Sequence, residues 1–202
     1  MLLAIDTSAG TSVALVDDDG RVIAERSTAD TRRHAEVIGP FLHDVVAAAG
    51  TVPLAGVVAG IGPGPYTGLR VGIAAARAFA FGRGIPLHAV VSHDAVALAL
   101  VQGGAVAGRF AVVTDARRRE VAVTVYGAAL PLPPTIVSAH LVARIEWVPD
   151  EGVVAHEVTE ISAAFLARVA LARLAAGLPA IDARPLYLRA PDVTLSAPKR
   201  VS

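Results

Sequence analysis

The sequence predicts an α/β fold, and three features of its first half indicate it. Three short apolar runs lie within residues 2–26, and the Asp-Gly turn at residues 17–20 favours a β-hairpin between the second and third. Apolar residues then recur at three- and four-residue spacing from His34 to Ala49, which is helical periodicity. Strand and helix patterns alternate from there to residue 101. This order indicates a mixed sheet with helices packed on it.

The predicted elements of the first half follow the order βββαβαβα. Gly50 stands where a left-handed glycine ends a helix, and Ser92 is a candidate cap for a later helix. A loop rich in glycine and proline, residues 62–66, leads into the second helix. The predicted strands are residues 2–5, 11–16, 21–26, 56–59 and 86–90, and the predicted helices are residues 34–49, 67–81 and 92–101.

A second lobe is predicted from a weaker repeat of the opening pattern. Glycines within residues 102–108 mark a hinge, and two strands are predicted after it, at residues 110–114 and 120–126, with an Asp-containing turn between them. A helix is predicted from a cap at Thr159 to the residue before Gly177. The chain is thereby divided into an N-terminal lobe, residues 1–103, and a shorter C-terminal lobe, residues 109–202.

The composition excludes several classes of protein. Hydrophobic residues make up 54% and charged residues 18%, which excludes a disordered chain. The net charge is zero, so tight nucleic-acid binding by this chain alone is not expected, and Arg117, Arg118 and Arg119 form either a local basic patch or a solvated turn. The absence of cysteine excludes disulfides and a thiol nucleophile. With no apolar run of about 20 residues and no signal-peptide pattern, a cytoplasmic protein without membrane contact is expected.

Asp6, Thr7 and Ser8 form the first candidate site. A strand that ends in Asp and runs into a turn of small hydroxyl residues can present N–H groups and hydroxyls to a phosphate. The Asp6 carboxylate could then hold a magnesium ion through water. The alternative is a hairpin closed by an Asx-type turn bond.

The second candidate segment is the Gly-Pro-Gly-Pro-Tyr-Thr-Gly loop and the helix after it. The loop has neither the lysine of a P-loop nor the glycine spacing of a dinucleotide fingerprint. In the helix, Gly68, Gly72, Ala76 and Ala80 recur every four residues and form a smooth ridge. Helical glycine costs about 1 kcal/mol against alanine, so close approach by another backbone is expected. That backbone belongs either to the chain's own sheet or to a helix of another chain.

The sequence gives no positive evidence for a metal site or for a catalytic nucleophile. None of the pairs among the six histidines has the four-residue spacing of helical metal ligands. The Gly-x-Ser-x-Gly pattern of a nucleophile elbow is also missing. Neither a metal ligand nor a catalytic residue is therefore assigned.

Four segments together resemble the TsaB (YeaZ) family. The N-terminal Ala-Ile-Asp-Thr-Ser at residues 4–8 resembles the family's opening, and residues 62–72 resemble its Gly-Pro-Gly segment. Residues 115–121 are similar to its second-lobe hairpin, and Pro-Leu-Tyr-Leu-Arg at residues 185–189 is similar to its C-terminal signature. The segments occur in the family's order from one end of the chain to the other.

The resemblance implies a fold and a role. The fold is the actin-like one, with two lobes and a cleft between them. The role is that of a non-catalytic subunit, which forms a heterodimer with a TsaD-like subunit and is joined by a TsaE-like ATPase. The complex transfers a threonylcarbamoyl group to N6 of adenosine 37 in tRNAs that read ANN codons, and tRNA contacts this subunit only through the complex.

Catalysis and metal are attributed to the TsaD-like subunit, and the sequence is consistent with this. The TsaD pattern of two histidines four residues apart corresponds here to His93 and Ala97, so one ligand is missing. The second hairpin holds arginines where actin-like ATPases have glycines. No cofactor of the chain's own is expected, and ATP or ADP, if bound at all, is expected in the complex.

The family's dimer forms through the two helices of the first lobe. Carried onto this chain, the expected partner interface consists of residues of those helices: His34, Val37, Ile38, Phe41, Gly68, Leu69, Gly72 and Ala76. Self-pairing of the same surface into a homodimer is the alternative when the partner is absent.

Two enzyme classes remain as alternatives. One is a nucleotide-dependent kinase or ATPase of the actin-like superfamily that uses Asp6 to anchor metal and phosphate. The other is a metallopeptidase, against which the missing ligand pairs argue.

Overall fold

The computed structural model describes residues 1–189, which form nine strands and four helices. The first half contains β1 (Leu2–Asp6), β2 (Thr11–Val16), β3 (Val22–Thr28), α1 (His34–Ala47), β4 (Gly56–Gly60), α2 (Tyr66–Arg83), β5 (Leu87–Val90) and α3 (Ser92–Gln102). The second half contains β6 (Arg109–Asp115), β7 (Glu120–Gly127), β8 (Thr135–Ala143), β9 (Val153–Glu157) and α4 (Ala163–Ala175). The predicted order of the first half is confirmed.

Two mixed sheets make up the β structure. The first has the order β3-β2-β1-β4-β5, in which β1, β2 and β3 are antiparallel neighbours and β4 and β5 run parallel to β1. The second has the order β8-β7-β6-β9 and repeats the pairing of the first four strands, with a parallel β6–β9 pair. The weak sequence repeat therefore corresponds to a structural repeat. The second copy is shorter, because no helix separates β8 from β9 in the described chain.

Both faces of the first sheet are covered at its central strands β1, β2 and β4, which explains why every residue of these strands is buried. Alternate residues such as Leu3 and Ile5 pack against α1 and α2 in one core cluster. Their neighbours, such as Leu2 and Ala4, face α3, α4 and the inner side of the second sheet in another. Successive side chains of a strand point to opposite faces, so one strand supplies both clusters. The layers are α1 and α2, the first sheet, α3 and α4, and the second sheet.

Helix α4 follows the second sheet in sequence but packs on strands of the first. Its start is fixed there, because the Ala163 N–H donates to Ser12 Oγ at 2.9 Å and the Ser162 hydroxyl donates to Glu25 Oε1 at 2.8 Å. The prediction of a cap at Thr159 is wrong: the helix begins after Ser162, where these groups of β2 and β3 meet its first turn. The division into lobes at residues 103 and 109 stays a prediction.

None of the four described helices is long and apolar enough to cross a membrane.

Candidate functional site

The turn between β1 and β2 lies directly under the loop that enters α2, and the approach is very close. A Cβ atom on Gly64 would lie 2.7 Å from Ser8 Cβ, and one on Gly60 would overlap the Asp6 carboxylate. Real Cβ atoms do not come this close to other heavy atoms. Both glycines are therefore required by packing within the chain.

The Asp6 carboxylate is fully enclosed and has partners for both oxygens. Oδ1 accepts from the Ser8 N–H at 2.8 Å and from the Ser8 hydroxyl at 2.5 Å, and Oδ2 accepts from the Ser92 hydroxyl at 2.5 Å. The Gly62 N–H in turn donates to Ser92 Oγ at 3.0 Å. Burial raises the pKa of Asp6 above its usual value, and the hydrogen bonds from Ser8 and Ser92 oppose that rise.

These contacts fit the Asx-turn alternative for Asp6, Thr7 and Ser8. All three side chains are buried, and each is bonded to groups of the same chain. The carboxylate joins β1, the loop after β4 and the start of α3. A phosphate or magnesium ion at this position would first have to displace those partners, and the binding of either stays a prediction.

Thr7 explains the two helical glycines of the ridge. Its hydroxyl donates to the Gly68 carbonyl at 2.7 Å and accepts from the Gly72 N–H at 3.1 Å. An α-helix normally bonds these two backbone groups to each other, so the hydroxyl contacts both members of one helical hydrogen-bond pair. A Cβ on Gly72 would overlap Thr7 Oγ1, and one on Gly68 would lie 2.7 Å from the Thr7 carbonyl oxygen.

The expected partner interface stays a prediction, but the structure turns most of its residues inward. The ridge faces the chain's own β1, and six of the eight named residues are buried within the chain: His34, Ile38, Gly68, Leu69, Gly72 and Ala76. His34, for example, bonds through Nδ1 to the Thr11 hydroxyl at 2.8 Å, and burial lowers the pKa of its imidazole. Val37 and Phe41 are only half-buried.

The outward face of α1 and α2 consists of other residues. On α1 it comprises Ala35, Glu36, Gly39, Pro40, His43, Asp44 and Ala47, and on α2 it comprises Tyr66, Thr67, Arg70, Ala74, Arg77, Ala78, Phe81, Gly82 and Arg83. Phe81 is 91% exposed, the second highest value among large apolar side chains of the described residues.

The structure places the His93 ring in the core, where it bonds to neighbouring strands. Its ring is fully buried, with Nδ1 at 2.8 Å from the Thr124 hydroxyl and Nε2 at 2.9 Å from the Thr114 hydroxyl. Burial lowers the pKa of His93 to about 3, so the ring is neutral, one nitrogen donating and the other accepting. The described residues contain no group of three side chains that could hold a metal ion.

The first turn of α3 thereby connects the two lobes. His93 reaches β6 and β7, and the neighbouring Asp94 accepts from the Tyr126 hydroxyl at 2.7 Å. Burial raises the pKa of Asp94, and the hydrogen bond from Tyr126 counteracts the rise. These hydrogen bonds connect α3 to the second sheet directly.

The cleft between the lobes has aromatic and basic walls. Tyr66 at the start of α2 stacks on Tyr187 with ring centroids 4.8 Å apart, and Arg118 and Arg189 line the same cavity. Neither tyrosine is among the predicted site residues, although each lies in a segment that resembles the family. Their ring contact joins segments that are far apart in sequence, so no local pattern could have found it.

A family model described as "TsaD: tRNA N6-adenosine threonylcarbamoyltransferase" matches residues 21–130, which is more than half of the chain. The chain is 33% identical over 149 residues to the Bacillus subtilis tRNA threonylcarbamoyladenosine biosynthesis protein TsaB, covering 72% of this chain and 63% of that protein. The structure of YeaZ from Pseudomonas aeruginosa superimposes with a TM-score of 0.76 at 25% identity, over 93% of this chain and 99% of that one. The chain belongs to the TsaB (YeaZ) family.

The similarity to TsaB and YeaZ confirms the predicted two-lobe actin-like fold. A higher identity, 45% over 124 residues, is shared with an uncharacterised protein of Mycobacterium tuberculosis. That match covers 59% of this chain and 56% of the relative, so the chain spans little more than half the length of that relative.

Gly72→Ala tests the close approach of α2 to Thr7. We expect it to lower the free energy of unfolding by roughly 1–3 kcal/mol, because the new methyl group overlaps the Thr7 hydroxyl. The matched control is Gly82→Ala in the same helix, which has nothing within 4 Å and should stabilise the chain by about 0.5–1 kcal/mol. Urea unfolding measures both, and equal effects would contradict the assignment.

His93→Gln tests the buried imidazole. Between pH 6.5 and about 3 the unfolded chain binds a proton at His93 that the folded chain does not. Stability should therefore fall as the pH falls, with a slope of at most about 1.4 kcal/mol per pH unit from this group. The variant should be less stable at pH 7 but should lose stability less steeply between pH 7 and 5.

Unfolding in urea across this pH range compares the two slopes. The exposed His43→Gln serves as the control and should keep the slope of the unmodified chain. A slope unchanged in His93→Gln would show that His93 does not titrate in the way its burial requires.

Proposed function

We propose that this chain is a non-catalytic, cytoplasmic subunit that pairs with a TsaD-like subunit in tRNA threonylcarbamoyladenosine formation. With a TsaE-like ATPase, the pair would transfer the threonylcarbamoyl group to N6 of adenosine 37 in tRNAs reading ANN codons. Membership of the TsaB (YeaZ) family supports the pathway. The finer assignment, a supporting rather than a catalytic role, rests on the contacts of this chain's own side chains.

The main support for the proposal is that the two side chains on which catalysis would depend, Asp6 and His93, are bonded to other groups within the chain. Asp6 has both carboxylate oxygens bonded to serines of the same chain, and His93 has both ring nitrogens against threonines. A general base or metal ligand must have an atom within reach of the substrate. Neither side chain has one, so the chain would act by binding a partner.

The outward face of α1 and α2 is the surface on which that partner would dock. Both helices pack on the same side of the first sheet, so their exposed sides form one continuous face. Small side chains at Gly39, Ala74 and Ala78 would let a second pair of helices approach closely, with Phe81 as an apolar anchor. Anchors of this kind supply most of the binding energy of an interface.

The charges on this face favour an oriented complex. Helix α2 exposes Arg70, Arg77 and Arg83 and carries no acidic residue, whereas α1 exposes Glu36 and Asp44. A partner with the opposite arrangement on its two helices would be steered into register by these charges. The overall charge of zero gives no comparable attraction for tRNA, so tRNA would be bound through the complex.

Phe81→Asp tests the docking face. Mixed with the TsaD-like protein of its own organism, the unmodified chain should form a one-to-one species in size-exclusion chromatography with light scattering. We expect Phe81→Asp to raise the dissociation constant at least tenfold, because a charge replaces an apolar anchor. Phe81 is fully exposed, so the variant should fold normally.

The matched control is Ile145→Asp, which alters a 94% exposed apolar residue of the second lobe. It should associate like the unmodified chain. Association of Phe81→Asp at unchanged affinity would refute the docking face, and no association of the unmodified chain would refute the partner role. The same experiment on the chain alone distinguishes a monomer from a homodimer, and a homodimer through this face should dissociate in Phe81→Asp.

A further inference from the structure

The outer face of the second sheet carries an apolar cluster without a covering helix. In the first sheet the corresponding face lies under α1 and α2, and α1 belongs to the connection from the third strand to the fourth. In the second sheet that connection is the loop of residues 144–152, and α4 packs on the first sheet instead. Within residues 1–189, the cluster on this face contains no helical residue. A surface that helices cover in one lobe is therefore left to a short loop in the other.

The loop leaves a groove open, because the strands beneath it carry small side chains. On the covered face of the first sheet, Leu3 is the cross-strand neighbour of Leu15. On the outer face of the second sheet, Ala111 is the cross-strand neighbour of Val125, which leaves more room above the strands. The groove has a volume of about 290 Å³. It can take several aliphatic side chains from one face of a helix.

The walls of the groove are apolar and partly exposed. Trp147 of the loop and Val142 of β8 are half-buried against the cluster. Val137 and Val148 also line the groove, with 39% and 77% of their surfaces exposed, and Ile145 in the same loop is 94% exposed. Exposed apolar side chains grouped around one groove mark a surface that binds another protein.

The charges at the groove are acidic. Glu146 and Asp150 line it, Glu151 follows directly in the loop, and none of the lining residues found within 1–189 is a lysine or an arginine. His140, which also lines the groove, bonds through Nδ1 to a carbonyl of its own strand at 3.0 Å. Arg109 lies 3.9 Å from Asp150, but both side chains are exposed, so this ion pair contributes little. The groove therefore favours a ligand with positive charges at its border.

We propose that this groove binds an amphipathic helix of another protein, whose apolar side packs on Trp147 and whose basic residues face Glu146 and Asp150. Helices dock in apolar grooves through side chains spaced three and four residues apart. The internal repeat supports a helix as the occupant, because the corresponding face of the first sheet packs against α1 and α2. The acidic border favours a basic helix and steers its approach. This inference goes beyond the partner role of α1 and α2 and does not depend on it.

A second copy of this chain fits the groove less well. Two grooves that face each other across a two-fold axis would bring carboxylates close together. The exposed basic helix of the chain is α2, with Arg70, Arg77 and Arg83. Its insertion into the groove of a neighbouring copy would be a head-to-tail contact, which builds rings or open polymers rather than a two-fold dimer. We therefore assign the groove to a helix of a different protein.

Trp147 provides the measurement, because it is the one tryptophan of the chain and lines the groove. The probe is a synthetic helical peptide of about 18 residues, with leucine and alanine on one side, lysine on the other and no aromatic residue. Its addition to the full-length chain should give a saturable change in tryptophan emission. The same peptide with glutamate in place of lysine should bind at least tenfold more weakly, because its charges repel Glu146 and Asp150.

Three results would overturn the proposal. The first is the absence of a saturable change in tryptophan emission. The second is equal affinity for the lysine peptide and for either the glutamate peptide or a peptide of the same composition in scrambled order. The third comes from light scattering on the chain alone: polymers that disperse in Glu146→Gln would show that a second copy fills the groove.

Glu146→Gln and Val148→Ser locate the lysine peptide. Each should weaken its binding roughly fivefold or more, the first by removing a charge and the second by removing apolar contact area. The matched controls are Asp19→Asn, at an exposed carboxylate of the β2–β3 turn, and Val52→Ser, at a 47% exposed valine outside the groove. Both controls should bind normally. Affinities of the two groove variants equal to those of the controls would contradict the site, and circular dichroism shows that each variant is folded.

Discussion

The structure depends on the close contact between the start of α2 and the turn that follows β1. Glycines at positions 64, 68 and 72 leave room for the turn, and the Thr7 hydroxyl contacts two backbone groups of the helix. This contact fixes the loop that enters α2, and with it Tyr66 at the wall of the cleft. It also determines which side of α2 faces the sheet and which side, including Phe81, faces solvent.

Two buried polar residues near the sheets serve the structure in the same way. Asp6 becomes a buried acceptor for Ser8 and Ser92, while His93 becomes a neutral link from α3 to the second sheet. Both groups are satisfied by short neighbouring hydroxyls, as buried polar groups must be. The chain thus has internally bonded polar groups and an exposed helical face, which is the arrangement that the proposed binding role requires.

The sequence predicted most of the first lobe, because hydrophobic periodicity and turn residues are local signals. It also predicted that something approaches α2 closely, since glycines four residues apart leave no other explanation. It did not identify what approaches, because a small residue indicates available space and not its occupant. The predicted start of α4 at Thr159 is wrong because the groups that fix the actual start, after Ser162, belong to Ser12 and Glu25. These two residues are far from α4 in the sequence, so no local pattern indicates them. The stacking of Tyr66 on Tyr187 could not be predicted for the same reason, because the two residues are far apart in the sequence.

Hydrogen–deuterium exchange of the chain with and without the proposed TsaD-like partner shows whether the chain docks through its first two helices. Complex formation should slow exchange in peptides from α1 and α2, while peptides from β8 and the 144–152 loop keep their rates. Protection confined to the second lobe, or no protection at all in a mixture shown to associate, would contradict the claim that the chain works through the outward face of its first two helices.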